Sequence, residues 1–229
     1  MTTPRPVTPQ SLSAYAREVL ELLANNPAAA EIVLGGGVAL AHYLDYRETN
    51  DLDAWWASGP NAEADRLLSE AMRTVAARHG LALTRRTWGE TTSLELVAAG
   101  RKVFSLQIAS RDRWLDAPLA AAWSPVRIET LRDNAAAKMT ALVERGAPRD
   151  LRDVYQLCHH GLVSVDECWS LYREKNPGVA CREGAAKVRH ALERLEMQRP
   201  LDTIADVSQR LAADALRRWF RDVFCPRAG

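Results

Sequence analysis

The sequence predicts an α+β fold in which a mixed sheet flanked by helices is followed by a C-terminal helical bundle. Segments with the two-residue alternation of strands occur before residue 125, whereas the later chain shows the longer period of amphipathic helices. Of the 229 residues, 47% are hydrophobic and 26% are charged, which is typical of a folded globular protein. We therefore expect an α/β domain over residues 1–125 and a helical domain over residues 126–229, packed together because no flexible linker separates them.

The first domain should contain two long helices and a β-meander outside its central motif. Ser11 or Ser13 can cap a helix that ends near Leu23, and Asn61 can cap another that ends near His79. Short glycine-containing connections should make three further strands antiparallel. These strands are predicted at residues 81–86, 93–97 and 102–108, with a short final strand at 126–128.

The second half of the chain should be helical. Five amphipathic segments follow one another, each ended by glycine, proline or a polar turn. Ser164 and Glu167 have the spacing of a capping box, which fixes the start of the third segment. The five helices are predicted at residues 130–145, 149–160, 164–175, 181–197 and 203–224.

A glycine turn followed by two acids forms the central motif. The apolar run at residues 32–34 stops at a triple glycine, a helix is predicted over 38–46, and Asp51 and Asp53 follow with one residue between them. Successive strand residues point to opposite faces, so both carboxylates should share a face. Paired carboxylates suit Mg²⁺, and glycines let phosphate approach the amides at a helix N-terminus. The motif therefore indicates nucleotide chemistry.

The order and spacing of these residues resemble the nucleotidyltransferase superfamily, and most closely its AbiEii/AbiGii toxin-like group. The resemblance implies that Asp51 and Asp53 hold Mg²⁺ or Mn²⁺. It also implies that the amides near Gly36 and Gly37 bind the phosphates of an NTP, with Thr49 supporting the carboxylates. The matching positions are Gly36, Gly37, Ala39, Leu40, Arg47, Thr49, Asp51, Leu52 and Asp53.

One position departs from the superfamily pattern, which places a third carboxylate on a strand of the meander. The matching residue here is Gln107. Glu95, on the neighbouring predicted strand, could take its place, although a solvated strand residue is the ordinary interpretation. Either one metal ion suffices, other residues compensate, or catalysis has been lost.

A second motif begins in the first helix of the helical half. Lys138 lies in the middle of an apolar stripe, so it must pair with an acid, extend to solvent or point into a cleft. The segment resembles the second AbiEii motif at Lys138, Ala141, Leu142, Arg145, Arg149, Asp150 and Asp153. The resemblance implies that Lys138 neutralises phosphate charge and that Asp150 orients Lys138 or the acceptor, with Asp153 as a further candidate. An edge lysine and a helix-capping Asp150 are the ordinary alternatives.

Charge and composition restrict the partners. The net charge is +1, so RNA binding would need a local patch; Arg210, Arg217 and Arg221 share a face of the last helix, where solvated charge is the default interpretation. No apolar run approaches the roughly 20 residues of a membrane span, and we expect a cytoplasmic protein without membrane contact. The cysteines lack zinc spacing and should be reduced thiols with no common role.

The resemblance implies an enzyme that transfers NMP from an NTP to an acceptor, expected to be RNA and specifically tRNA. It also implies a toxin of a toxin–antitoxin system, with a cognate antitoxin as partner. One alternative is a catalytically degenerate nucleotide- or nucleic-acid-binding module on the same fold, which Gln107 favours. The other is a small-molecule nucleotidyltransferase of the aminoglycoside-modifying kind, which an acidic cleft would support.

Overall fold

A mixed sheet organises the first part of the chain. The computed structural model describes residues 4–228. The strands are β1 (Ile32–Gly35), β2 (Asp51–Trp56), β3 (Ala82–Trp88), β4 (Thr91–Ala98), β5 (Arg101–Ala109), β6 (Leu119–Ala120) and β7 (Arg127–Ile128). The helices are α1 (Ala14–Leu23), α2 (Gly36–Tyr43), α3 (Ala62–His79), α4 (Leu131–Glu144), α5 (Pro148–His159), α6 (Val165–Lys175), α7 (Cys181–Gln198) and α8 (Val207–Trp219).

The seven strands are ordered β3-β4-β5-β2-β1-β7-β6. The predicted meander is confirmed, because β3, β4 and β5 pair antiparallel. Strand β2 pairs parallel with β5 and antiparallel with β1, and β1 pairs parallel with β7. The sheet is therefore mixed, as the sequence predicts. Strand β6 was not predicted, since two residues carry no periodicity.

One face of the sheet forms the core of this part of the chain. Leu52, Ala54 and Trp56 of β2 are buried in the same cluster as Phe104, Leu106 and Ile108 of β5. Helices α1 and α3 contribute their apolar faces to that cluster. The opposite face of β2 and β5 therefore remains available for polar residues.

Polar caps set the starts of α1 and α3 where the sequence predicts them. Ser13 Oγ accepts from Ala16 N at 3.2 Å, and Asn61 Oδ1 accepts from Ala64 N at 3.0 Å. Helix α2 differs, because it begins at Gly36 and ends at Tyr43, two and three residues earlier than the predicted 38–46. Beyond its end, the Asp45 carboxylate accepts from the Gln10 amide at 2.6 Å, which holds the chain outside the helix.

Five helices follow the sheet, as predicted. Ser164 Oγ accepts from Glu167 N at 3.2 Å, which confirms the capping box. Helix α8 starts at Val207 instead of residue 203, because Asp206 caps it by accepting from Gln209 N at 2.8 Å. After α8, a π-helical turn over Phe220–Phe224 buries two aromatic rings.

The chain divides into two compact units between Asn134 and Ala135, which is later than the predicted boundary after residue 125. We call them the sheet unit and the helical unit. The division falls inside α4, so composition alone does not mark it. Within residues 4–228, every helix is too short or too polar to cross a membrane.

Candidate active site

Two carboxylates project from the polar face of β2. The strand alternates strictly, with Leu52 buried and with Asp51 and Asp53 partly exposed. Residues two apart in a strand are about 6.6 Å apart along it. Asp51 and Asp53 therefore share a face as the sequence predicts, which leaves both carboxylates able to receive a ligand from the same side.

The glycine turn lies directly over Asp53. Gly35 is the register partner of Asp53 across the β1–β2 ladder. A Cβ atom on Gly36 would lie 2.1 Å from Asp53 Oδ2, and one on Gly35 would lie 2.1 Å from the Trp55 indole nitrogen. Gly36 also has a φ of +58°, a conformation that side-chain-bearing residues rarely adopt. Only glycine allows the turn to approach the carboxylate this closely.

The turn leads into the N-terminus of α2, where two amides can bind an anion. The Gly36 amide donates to Glu129 Oε1 at 3.1 Å and is therefore already used. The amides of Gly37 and Val38 occupy the first turn, where a helix offers no internal acceptor and carries positive dipole charge. Of the amides predicted to bind phosphate near Gly36 and Gly37, that of Gly36 is therefore occupied by Glu129.

Arg47 and Thr49 lie beside the same turn. A Cβ atom built on Gly37 would be 3.5 Å from Arg47 Nη2 and 3.6 Å from Thr49 Oγ1. Thr49 is buried, and its backbone bridges to Leu12. The structure therefore brings the glycine turn, a guanidinium group, a hydroxyl group and Asp53 together, all from residues that the sequence motif singles out.

Strand β5 determines what else stands beside the two acids. Its register places Ser105 next to Asp51 and Gln107 next to Asp53. Gln107 thus stands beside Asp53, at the position where the third carboxylate was expected. Glu95 pairs with Ser105 from β4, two strands away from Asp51, which corresponds to about 10 Å. Within residues 4–228, no three His, Cys, Asp or Glu side chains are grouped to hold a metal ion.

Asp51 is held by two neighbours on β5. The buried Ser105 hydroxyl donates to Asp51 Oδ1 at 2.7 Å. Lys102 Nζ lies 3.6 Å from the same oxygen and 3.2 Å from Ser105 Oγ. Neither residue was predicted as part of the site. The alternation of β5 does place Ser105 on its polar face. Lys102 lies next to a register shift in the β4–β5 ladder, which the sequence does not reveal, so its contact with Asp51 could not be predicted.

A fully buried carboxylate fixes the glycine turn from behind. Glu129, which follows β7, accepts from the Gly36 amide and from Asn134 Nδ2, the latter at 2.6 Å. Asn134 Nδ2 also donates to the Gly36 carbonyl at 2.9 Å. Both sides of the Gly36 peptide unit are therefore held by residues more than ninety positions away in the chain.

Arg111 balances the buried charge of Glu129. Its guanidinium group forms a short ion pair with Glu129 and lies 3.8 Å from Asp133 Oδ1. It also stacks 5.0 Å from the Trp55 ring centre and 4.5 Å from that of Trp114. The sequence gives no sign of this network. Glu129 stands just before a predicted helix, where acidic residues are common, so nothing marks it as buried.

In the helical unit, Lys138 pairs with Asp153. Lys138 Nζ lies 2.7 Å from Asp153 Oδ2, and the two side chains are only 10% and 1% exposed. Asp150 has a different partner, since it accepts from Arg145 Nε and Nη2 at 2.7 Å each and from the Ala147 amide at 3.1 Å. The acid that contacts Lys138 is therefore Asp153, and Asp150 caps α5 and binds Arg145.

The arginines of the last helix make structural contacts. Arg217 is buried and donates to the Arg199 carbonyl at 2.6 Å, and Arg221 pairs with Glu196. Arg210 Nη1 reaches the Ile204 carbonyl at 3.4 Å. The stripe is thus engaged within its own unit, and the default interpretation of solvated charge is wrong for Arg217, which is buried.

The residues on the β2 face suit a hard divalent cation. The carboxylates of Asp51 and Asp53 and the amide oxygen of Gln107 are all oxygen donors, which Mg²⁺ and Mn²⁺ prefer. The missing Cβ atom of Gly36 allows the Asp53 carboxylate to lie directly against the glycine turn. The donor set therefore fits a cation that accompanies a nucleoside triphosphate.

Comparison with known proteins agrees with this geometry. The family model described as nucleotidyl transferase AbiEii toxin, type IV toxin–antitoxin system, matches residues 18–223. The matched segment contains the β2 acids and glycine turn as well as the Lys138–Asp153 pair. A search of curated proteins gives no match. Because the family model covers most of the chain, this protein is a nucleotidyltransferase that belongs to the AbiEii toxin family.

Proposed function

We propose that the protein transfers a nucleoside monophosphate from an NTP to RNA, with tRNA as the acceptor. The observation that carries this proposal is the Asp51–Asp53 pair on one face of β2, beneath a turn that only glycine can form. Family membership supplies the reaction class. The acceptor is inferred from the toxin role, since modification of tRNA would stop translation.

Asp51, Asp53 and the Gln107 amide oxygen would hold Mg²⁺ or Mn²⁺. When bound there, the cation would offset the charge of the triphosphate and polarise the α-phosphate. Residues at and beside the glycine turn would bind the terminal phosphates of the nucleotide. The amides of Gly37 and Val38 donate to the terminal phosphates, and the neighbouring Arg47 guanidinium adds a charged donor.

In the reaction, an acceptor hydroxyl oxygen forms a bond to the α-phosphorus. The bond from that phosphorus to the bridging oxygen breaks, pyrophosphate leaves, and the hydroxyl proton passes to solvent. The match of Lys138 to the second family motif implies that its ammonium group neutralises phosphate charge in this step. Asp153 keeps the Lys138 ammonium in a single orientation through the 2.7 Å ion pair.

As a toxin of a type IV system, the protein would be accompanied by a cognate antitoxin. NTP and tRNA are both cytoplasmic, and we propose the cytoplasm as its place of action. The net charge of +1 means that RNA would be held by a local surface instead of by the field of the whole molecule.

A second candidate is a nucleotide-binding protein of the same fold without catalysis. The neutral Gln107 beside Asp53 favours it, because a third negative charge is absent from that position. Retention of the Asp51–Asp53 pair and of the buried Lys138–Asp153 pair argues for catalysis.

The test is incubation of the full chain with each α-³²P-labelled NTP, Mg²⁺ and total tRNA. We expect label in RNA from the wild type and from Asp65→Asn, a matched change at a surface salt bridge, but not from Asp53→Asn. NTP binding without transfer would instead support the non-catalytic candidate. Label transferred to an aminoglycoside and not to RNA would indicate a small-molecule acceptor.

A further inference from the structure

The β2 face carries less negative charge than its two carboxylates alone would give. The side chains aligned with Asp51 and Asp53 on β5 are Ser105 and Gln107, and both are neutral. Ser93, which aligns with Gln107 from β4, is neutral as well. The charged group that contacts Asp51 from β5 is the Lys102 ammonium group.

Lys102 reaches Asp51 at the same carboxylate oxygen that accepts from Ser105. Its ammonium lies 3.6 Å from Asp51 Oδ1, and the buried Ser105 hydroxyl, which bonds to both groups, keeps them together. The Lys102 side chain is 48% exposed and that of Asp51 is 43% exposed. The lysine can therefore withdraw into solvent, but only by giving up its contact with Asp51.

We propose that Lys102 is a built-in counter-cation of Asp51, which weakens divalent-cation binding and limits this face to one divalent ion. The inference rests on the proposed function, in which Asp51 and Asp53 hold that ion. An ammonium group and a divalent cation repel each other and compete for the same carboxylate. Lys102 offsets one negative charge beside Asp51 and so lowers the charge that is available there to divalent ions.

Gln107 completes this arrangement from the other side. Its amide can supply one oxygen donor beside Asp53 without adding negative charge. A carboxylate at position 107 would add negative charge beside Asp53, whereas Lys102 offsets negative charge beside Asp51. Lys102 and Gln107 together therefore determine how many divalent ions the face can bind.

The experiment counts bound Mn²⁺ on the full chain by electron paramagnetic resonance, in the presence of a non-hydrolysable NTP analogue. Wild type should bind one Mn²⁺. Lys102→Met, which keeps the aliphatic stem, should bind it about tenfold tighter, since it removes a unit charge close to the ion. Lys102→Arg should retain the wild-type affinity. Lys187→Met, an exposed lysine in the helical unit, is the matched control and should not change it.

The stoichiometry is tested by combining the two positions. Lys102→Met/Gln107→Asp should bind a second Mn²⁺, and a single ion in that double variant would overturn the limit that we assign to these residues. Equal Mn²⁺ affinities for wild type, Lys102→Met and Lys187→Met would overturn the counter-cation role. Tighter Mn²⁺ binding by Lys102→Met in a protein that labels no RNA would support this inference while refuting the proposed transfer.

Discussion

Replacement of Arg111 by methionine should destabilise the sheet unit strongly. The change leaves Glu129 charged, fully buried and without its cation. Breaking a buried ion pair from one side costs about 3–5 kcal/mol. Glu129 keeps hydrogen bonds from the Gly36 amide and from Asn134, so we expect the lower end, about 3 kcal/mol.

A double-mutant cycle separates this charge effect from the loss of packing against Trp55 and Trp114. Glu129→Gln keeps an acceptor for the Gly36 amide but removes the charge. We therefore expect Arg111→Met/Glu129→Gln to be less destabilised than the sum of the single variants by about 2 kcal/mol.

Urea unfolding followed by tryptophan fluorescence provides the measurement. A loss of 3 kcal/mol should lower the midpoint by about 1.5 M, for a slope near 2 kcal/mol per molar urea. The matched control is Arg85→Met, which breaks a surface pair with Asp65 and should cost about 0–1 kcal/mol. A loss below 1 kcal/mol for Arg111→Met, or strict additivity in the cycle, would refute the reasoning.

Three further predictions concern the glycine turn, a buried histidine and the thiols. Gly36→Ala should abolish nucleotide transfer and cost about 1–2 kcal/mol, because its Cβ would enter the space of Asp53 Oδ2 at a positive φ; transfer assays and urea midpoints test this. Burial lowers the pKa of His42, so protons bind mainly to the unfolded chain as the pH falls below about 6.5. The free energy of unfolding should therefore decrease as the pH is lowered through that range. His42→Gln should make this decrease smaller, as measured by unfolding at pH 7.5 and 5.5. Burial raises the pKa of Cys225 to about 11, so iodoacetamide at pH 8 should modify the partly exposed Cys158 first, as read by mass spectrometry.

Each of these three predictions has an outcome that would contradict it. An active Gly36→Ala variant would show that the turn tolerates a side chain and is not a phosphate cradle. Equal pH dependence in wild type and His42→Gln would remove the histidine from the acid sensitivity of the fold. Faster modification of Cys225 than of Cys158 would contradict the burial of its thiol.

Local patterns in the sequence predict much of the sheet unit. The alternation in β2 is enough to place Asp51 and Asp53 on one face, and the caps at Ser13 and Asn61 fix two helix starts. Gln107 stands next to Asp53, because register between adjacent strands follows from the apolar alternation of β5. These features depend on neighbours in the chain or on strand periodicity, both of which are visible in the residues.

Long-range polar contacts could not be predicted in this way. Glu129 meets Gly36 across ninety-three positions, and Arg111 meets Glu129 only after β1 and β7 have paired. The choice of Asp153 over Asp150 as partner of Lys138 has a similar origin. Both acids fit a helix face, and the separate contact of Asp150 with Arg145 decides between them.

The thiols show the same limit on a smaller scale. The four cysteines are free, as predicted, but Cys158 and Cys168 lie with their sulfur atoms 3.6 Å apart. The hydrogen bond with Cys158, together with burial, raises the pKa of the Cys168 thiol. Their spacing of ten positions resembles no metal or redox motif, and only the packing of α5 against α6 brings them together.

The central claim is that Asp51 and Asp53 hold a divalent cation beside the glycine turn. The most direct test is a crystal structure of the full chain with a non-hydrolysable NTP and Mn²⁺. We predict an anomalous Mn²⁺ peak within coordination distance of Asp51 and Asp53, with the triphosphate contacting the Gly37 amide. A nucleotide bound away from the glycine turn, or a Mn²⁺ peak that contacts neither acid, would contradict the account.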